Sequence, residues 1–274
     1  EIALFYNDLG RPTEAIEAAK IGAAIKGASG DTHPMFPYLL AILRGAHGAR
    51  AVQKEFDRAD TCSLDFAWPF RIEEGLLLRR LVRERPRDGR LAFLLGIFLY
   101  RMGAPGEADE CWRRAEALGV TYPGLHRNRG WLLADGCHTV RRSLAQYRKA
   151  LKGWPDDPYV LTEICRLMMR LNMHKHVCND LEKRISITAR SKTLSEMLQK
   201  CYLALDRPEA VLAVQKRLHL EGWDYVQEDF RKDACVRIAE RHLKNRRYDR
   251  AIAAIEKAWE LPPNLGMGAP VVKG

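Results

Sequence analysis

The stretch "LGRPTEA" (9–15) returns as "MGAPGEA" (102–108) and, one residue shorter and without its glycine, as "LDRPEA" (205–210). Each reads as the corner of a helical hairpin. Gly10 and Gly103 can take the left-handed conformation that ends one helix. Pro12, Pro105 and Pro208 suit the first turn of the next helix, where a backbone donor has no partner anyway. Glu14, Glu107 and Glu209 favour the positive N-terminal end of that helix. Ala15, Ala108 and Ala210 are small enough to let a neighbouring helix come close. A repeated corner implies a repeated unit, and the repeat decides the fold.

Aligning the corners gives a small residue near the start of each second helix: Ala15, Val52, Ala108, Ser143, Val177, Ala210 and Ala251. The middle intervals are 35, 34 and 33 residues. Three units also place a large residue four positions on and a small one three after that: Ala108-Trp112-Ala115, Ser143-Tyr147-Ala150 and Ala251-Ile255-Ala258. On a helix those positions share one face, and the small–large–small order lets two helices interlock. The units at Val177 and Ala210 keep two positions and carry Arg184 and Arg217 at the third.

With Leu95-Gly96 in the first helix of its best unit and a period near 34, the chain resembles a tetratricopeptide repeat array. The resemblance covers the whole chain, about seven hairpins. It implies an all-α fold, a right-handed superhelix of antiparallel helix pairs, and a non-catalytic scaffold that binds a protein or peptide on its concave side. Two short phrases, "FAWPFR" (66–71) and "PPNLGMGAP" (262–270), are similar to the C-terminal repeat half of large bacterial proteins. Their N-terminal half is β-rich and resembles sugar-processing domains. The chain opens on Glu1 inside a helix-like stretch, so upstream residues are expected. In-cis docking against such a domain is the alternative role.

The expected organisation is one helical array over 1–263 and a non-helical tail over 264–274. The 56-residue interval between Val52 and Ala108 breaks the register. It holds "TCSLDFAWPFRIEEG" (61–75), read as an irregular helical insertion over about 61–88 with a helix from about 70 to 85. The unit at Ser143 carries one extra residue at its "ADGCHT" corner (134–139).

Hydrophobic content of 47% and charged content of 29% fit an ordered chain with a core. The longest apolar run, "LAFLLGIFL" (91–99), is about half a membrane span, so no membrane partner is expected. Seven scattered cysteines without a CxxC argue against a disulfide framework or zinc ribbon and for a reducing, cytoplasmic setting. Cys111, Cys165, Cys201 and Cys235 fall in apolar patterns and read as buried. The net charge is +10, and "RRLVRERPRDGR" (79–90) is the densest basic run. It has no aromatic or Gly-rich interleaving, which disfavours nucleic acid.

No phosphate loop, nucleophile elbow or HExxH is present, so neither a catalytic residue nor a cofactor is expected. In "MHKHVC" (173–178) only His174 and Cys178 share a helix face, short of a zinc site. Asp156-Asp157 and Glu73-Glu74 read as charges at helix N-termini. His126 reads as packing, and Trp112 and Trp259 as core.

In the repeat's register, the outward positions of the first helices form the expected groove. They are Arg90, Phe93, Ile97, Tyr100 and Arg101, then Arg127 and Trp131, then Tyr159, Thr162, Arg166, Met169 and Arg170. Arginine forks bind carboxylates, and aromatic plus Met surfaces take apolar side chains. The partner expected from this is an acidic or C-terminal peptide with hydrophobic anchors.

Overall fold

The structure is a computed structural model that describes residues 2–25, 32–45, 48–65, 67–134, 139–218 and 224–260. Among the described residues there are sixteen helices and no strand. The chain divides into two compact units, Glu1–Asp135 and Gly136–Gly274.

The first unit holds α1 (Ile2–Asp8), α2 (Pro12–Ala24), α3 (Met35–Leu43), α4 (Ala49–Thr61), α5 (Ile72–Glu84), α6 (Gly89–Arg101), α7 (Pro105–Ala117) and α8 (Pro123–Ala134). Helices α1/α2, α3/α4 and α6/α7 pair as antiparallel hairpins, and α5 packs on α6. Helix α6 is apolar on nearly every side, with Leu91 through Gly96, Phe98 and Leu99 all buried. Such a helix can only sit inside a core. On α7 the triad Ala108, Trp112 and Ala115 is buried, and the indole fills the space beside Gly96. Helix α4 repeats the device with Phe56 and Ala59. The segment before α5 is extended, and Glu74 holds its entry by accepting the amides of Phe70 (2.9 Å) and Arg71 (3.1 Å). Asp88 caps α6 by accepting the amides of Arg90 and Leu91.

The second unit holds α9 (Val140–Gly153), α10 (Pro158–Arg170), α11 (His174–Lys183), a short α12 (Ile185–Thr188), α13 (Lys192–Ala204), α14 (Pro208–Gln215), α15 (Tyr225–Lys244) and α16 (Tyr248–Trp259). Neighbours along the chain pack in turn, and α13 also rests on α10 and α11. Ser143, Tyr147 and Ala150 on α9 are buried, as the repeat requires. Asp157, Ser191 and Asp224 cap α10, α13 and α15. Three glutamines link α13, α14 and α15: Gln199 donates to the Gln227 side chain and accepts from Gln215, which also donates to the Gln227 backbone carbonyl.

Six corners close in one way. A left-handed residue follows the helix: Gly10 (φ 70°), Gly103 (78°) and Gly119 (86°) in the first unit, Asn172 (55°), Asp206 (53°) and Arg246 (54°) in the second. Its amide donates to the carbonyl three residues back, and the next amide to the one five back. At Gly103 these are Gly103 N to Tyr100 O (3.1 Å) and Ala104 N to Leu99 O (3.0 Å). This doubly bonded closure satisfies carbonyls the helix end leaves over. It also explains how "LDRPEA" turns without a glycine: Asp206 takes the left-handed conformation in its place.

The "ADGCHT" corner lies mostly outside the described residues, as do Trp223, Pro262-Pro263 and the 264–274 tail. One core assignment is corrected. Trp259 on α16 is 77% exposed rather than buried, because among the described elements α16 packs chiefly on α15 and that contact leaves the indole uncovered.

Candidate functional site

In the first unit two exposed aromatics, Phe70 and Trp131, meet the C-terminal end of α6. Tyr100 joins the core to the surface. Its ring stacks on buried Trp112 (5.9 Å between centroids, 26°) and meets Trp131 of α8 edge-on (4.9 Å, 67°). Trp131 is 45% exposed. On the next position of α6, the Arg101 guanidinium lies 5.9 Å from the Phe70 ring, and Arg71 lies 5.3 Å from the same ring. Phe70 remains 53% exposed beneath them, with Trp68 exposed two residues earlier. Arg127 is oriented through two contacts to Asn128 Oδ1, at 3.2 and 3.0 Å. Trp68 and Phe70 were not among the expected groove residues, since the repeat's register says nothing about an insertion.

Two expected members lie elsewhere. Phe93 is buried at 1% exposure, edge-on to Tyr122 from the loop before α8. Helix α6 has no polar face at that level, so periodicity could not show which side is covered. Arg90 is committed to the end of α4, donating to the carbonyls of Ala59 (3.1 Å) and Cys62 (2.5 Å). It borders a cavity of ≈ 870 Å³ along the loops at 62–65, 85–89 and 118–122, whose lining includes Arg85, Arg87, Asp60, Asp65 and Asp88.

In the second unit, α10 carries Tyr159, Thr162, Arg166, Met169 and Arg170. Tyr159, Arg166 and Arg170 are exposed, and Thr162 and Met169 half-buried. Thr162 turns its hydroxyl onto Pro158 O (2.7 Å). Arg166 pairs with buried Glu163 at 2.6 Å, so its charge is largely matched within its own helix. The match to an acidic partner is therefore weaker here.

The structure gathers thiols that sequence spacing could not. Cys201 of α13 comes to 3.6 Å from His174 Nδ1. Coupling between the Cys178 and Cys201 thiols holds the Cys178 pKa below and the Cys201 pKa above the ordinary thiol value, while burial pushes the Cys165 thiol up to about 12. Among the described residues, no group of three or more His, Cys, Asp or Glu is placed to hold a metal ion. No described helix is long and apolar enough to cross a membrane.

The chain is thus an all-α array of helical hairpins with exposed aromatic and arginine side chains on α6, α8 and α10. Its fold is that of tetratricopeptide-repeat proteins. It is similar to the C-terminal part of a TPR repeat-containing protein from Cytophaga hutchinsonii, at TM-score 0.51 and 16% identity over 95% of this chain and 94% of that one. Lower similarity links it to a human IFIT1 dimer with m7Gppp-AAAA, at TM-score 0.37 and 16% identity over 94% of this chain and 66% of that one. The TPR2AB-domain:pHSP90 complex of yeast Sti1 aligns at TM-score 0.30 and 11% identity, over 94% and 96%. No protein-family model and no curated protein matches the sequence.

Proposed function

We propose that the chain is a non-catalytic scaffold for a protein or peptide partner, engaged in its first unit by Phe70, Tyr100, Arg101, Arg127 and Trp131. The observation that carries this is the exposed Phe70 ring beneath two guanidinium groups, beside a Trp131 that is anchored through Tyr100 to the core. A half-exposed ring on a rigid support suits an apolar anchor. Arginines at its edge suit a carboxylate. The partner chemistry is then an acidic or C-terminal peptide with large apolar side chains. On α10, Tyr159, Met169 and Arg170 offer a second contact of the same kind.

The test uses fluorescent acidic peptides bearing Leu or Phe, with free or amidated C-termini. Wild type should bind, amidation should weaken binding, and Arg101→Glu with Trp131→Ala should weaken it at least about tenfold while the fold is kept. Equal binding by wild type and the folded variant overturns the assignment. Absence of binding by either leaves docking against an upstream domain as the reading. Steeply salt-dependent binding of RNA oligomers in place of peptides moves the function to nucleic acid.

A further inference from the structure

The cavity beside Arg90, at ≈ 870 Å³, has the size of a small-molecule site. The first unit builds all of it. The end of α4 with the loop after it, the turn from α5 into α6, and the loop from α7 to α8 supply the lining. Leu64, Leu118 and Val120 give it apolar wall, and aspartates and arginines bring charge of both signs.

Some of that charge is committed within the fold. Asp88 Oδ1 accepts the amides of Arg90 (3.0 Å) and Leu91 (3.1 Å), and Arg90 holds the end of α4. The rest is not. Arg87 is exposed, with neither a hydrogen bond nor an ion pair among the described residues. Asp60 is 53% exposed, and its nearest cation is Arg90 Nε at 3.9 Å, beyond hydrogen-bond reach. Burial, and then the neighbouring Asp88, hold the Asp60 pKa above the ordinary carboxylate value. Asp65 is exposed and accepts only the Tyr122 hydroxyl, at 2.8 Å.

Buried polar atoms that make no hydrogen bond collect at the same place. Among the described residues they include Tyr38 Oη, Arg85 Nε and Arg90 Nε. Tyr38 is wholly buried on α3, with Asp88, Arg90 and Asp60 as its charged surroundings. Arg85 Nε stands 3.8 Å from Asp88. A folded chain leaves few such atoms, and a cluster of them marks polar groups that something outside the chain completes. These three can all donate and lack an acceptor, whereas Asp60 and Asp65 lack a charged donor.

A ligand of one sign fits poorly. An anion would meet Asp60 and Asp65, and a cation would meet Arg85 and Arg87. We propose that the cavity binds a zwitterion of the α-amino acid type, a free amino acid or a short peptide, with its ammonium group on Asp60 and Asp65 and its carboxylate on Arg87. The site is separate from the Phe70 and Trp131 surface and goes beyond the scaffold role.

Thermal shifts of the chain with each common free amino acid, and with dipeptides of alanine followed by each of them, test this at about 5 mM ligand. At least one compound should raise the melting temperature, with a dissociation constant on the order of 10–1000 µM by titration calorimetry. A free amino acid that binds as tightly as its dipeptide makes the single residue the ligand, and a tighter dipeptide makes it the short peptide. N-acetylation or C-terminal amidation should each weaken binding at least about tenfold, since each removes one charged contact. Asp60→Asn and Arg87→Ala should each weaken it at least about fivefold with the fold kept, because both side chains are exposed. Absence of any binding compound overturns the proposal. So do blocked forms that bind as well as free ones, which would leave a site for a single charge, and variants that bind like wild type. Arg101→Glu with Trp131→Ala should leave this binding untouched, and its loss in that variant would overturn the proposal by moving the ligand to the Phe70 surface.

Discussion

Gly96 on α6 lies against the indole of Trp112 on α7, so close that a Cβ on residue 96 would come to 2.4 Å from the indole nitrogen. That nitrogen donates to the Phe93 carbonyl at 3.2 Å, which pins the ring where it is. Gly96→Ala should lower stability by about 2 kcal/mol, because the overpacking exceeds the gain in helix propensity. Gly106 on α7 has no heavy atom within 4 Å of such a Cβ. Gly106→Ala should raise stability by about 0.5–1 kcal/mol. Urea unfolding of the pair reads both, and a shift of the same sign in each would refute the packing account.

Arg129 on α8 is buried between Asp109 (3.1 Å) and Glu116 of α7, with His126 at 3.9 Å from the same glutamate. Its removal takes the buried guanidinium from two carboxylates that are themselves only about a quarter exposed. Arg129→Ala should cost about 2 kcal/mol, discounted from the figure for a fully buried pair. Arg113→Ala breaks an exposed contact to the same Asp109 and should cost less than about 0.5 kcal/mol. Comparable losses from the two would mean that burial does not set the cost.

His33 accepts the Met35 amide at 3.3 Å and so supports the start of α3 as a neutral ring. Burial holds its pKa below the ordinary histidine value, against the pull of Glu74. A depressed value in the folded chain means a contribution that is complete above about pH 6.5 and is lost as pH falls through the folded value. The urea midpoint should therefore drop on acidification below about pH 6.5. His33→Asn keeps an acceptor without a charge and should flatten that part of the profile. A variant as acid-sensitive as wild type would place the effect elsewhere.

Gln199 donates to Gln227 Oε1 (2.6 Å) and to Ser195 O (3.2 Å), and accepts from Gln215 (2.9 Å). Replacing one member of a buried set leaves its partners unsatisfied. Gln199→Leu should cost about 1–3 kcal/mol. Gln199→Leu with Gln227→Leu should cost less than the sum of the singles, as measured by a double-mutant cycle. Strict additivity would show that the amides act separately.

What was legible in the sequence is local. Pro-x-Glu-Ala corners and the Ala108-Trp112-Ala115 spacing announce themselves within one turn of helix, and they gave the hairpins. Phe93 was misplaced because α6 is apolar on both sides, so a 3.6-residue period has no contrast to read there. Trp259 stands next to Ala258, a position of the repeat, yet that neighbourhood does not say whether another helix arrives to cover it. Phe70 under Arg101 and Cys201 beside His174 join residues 31 and 27 positions apart, and such meetings are fixed by how helices stack.

The shared corner has a consequence for how the chain can change. A joint closed by its own backbone asks little of the side chains on either side, and Gly103, Asp206 and Arg246 serve it alike. Whole hairpins can then be duplicated, deleted or exchanged by recombination between two such joints, with each newly made junction inheriting a workable geometry. The cut points are interchangeable parts, and the variable cargo is the helix face carried between them.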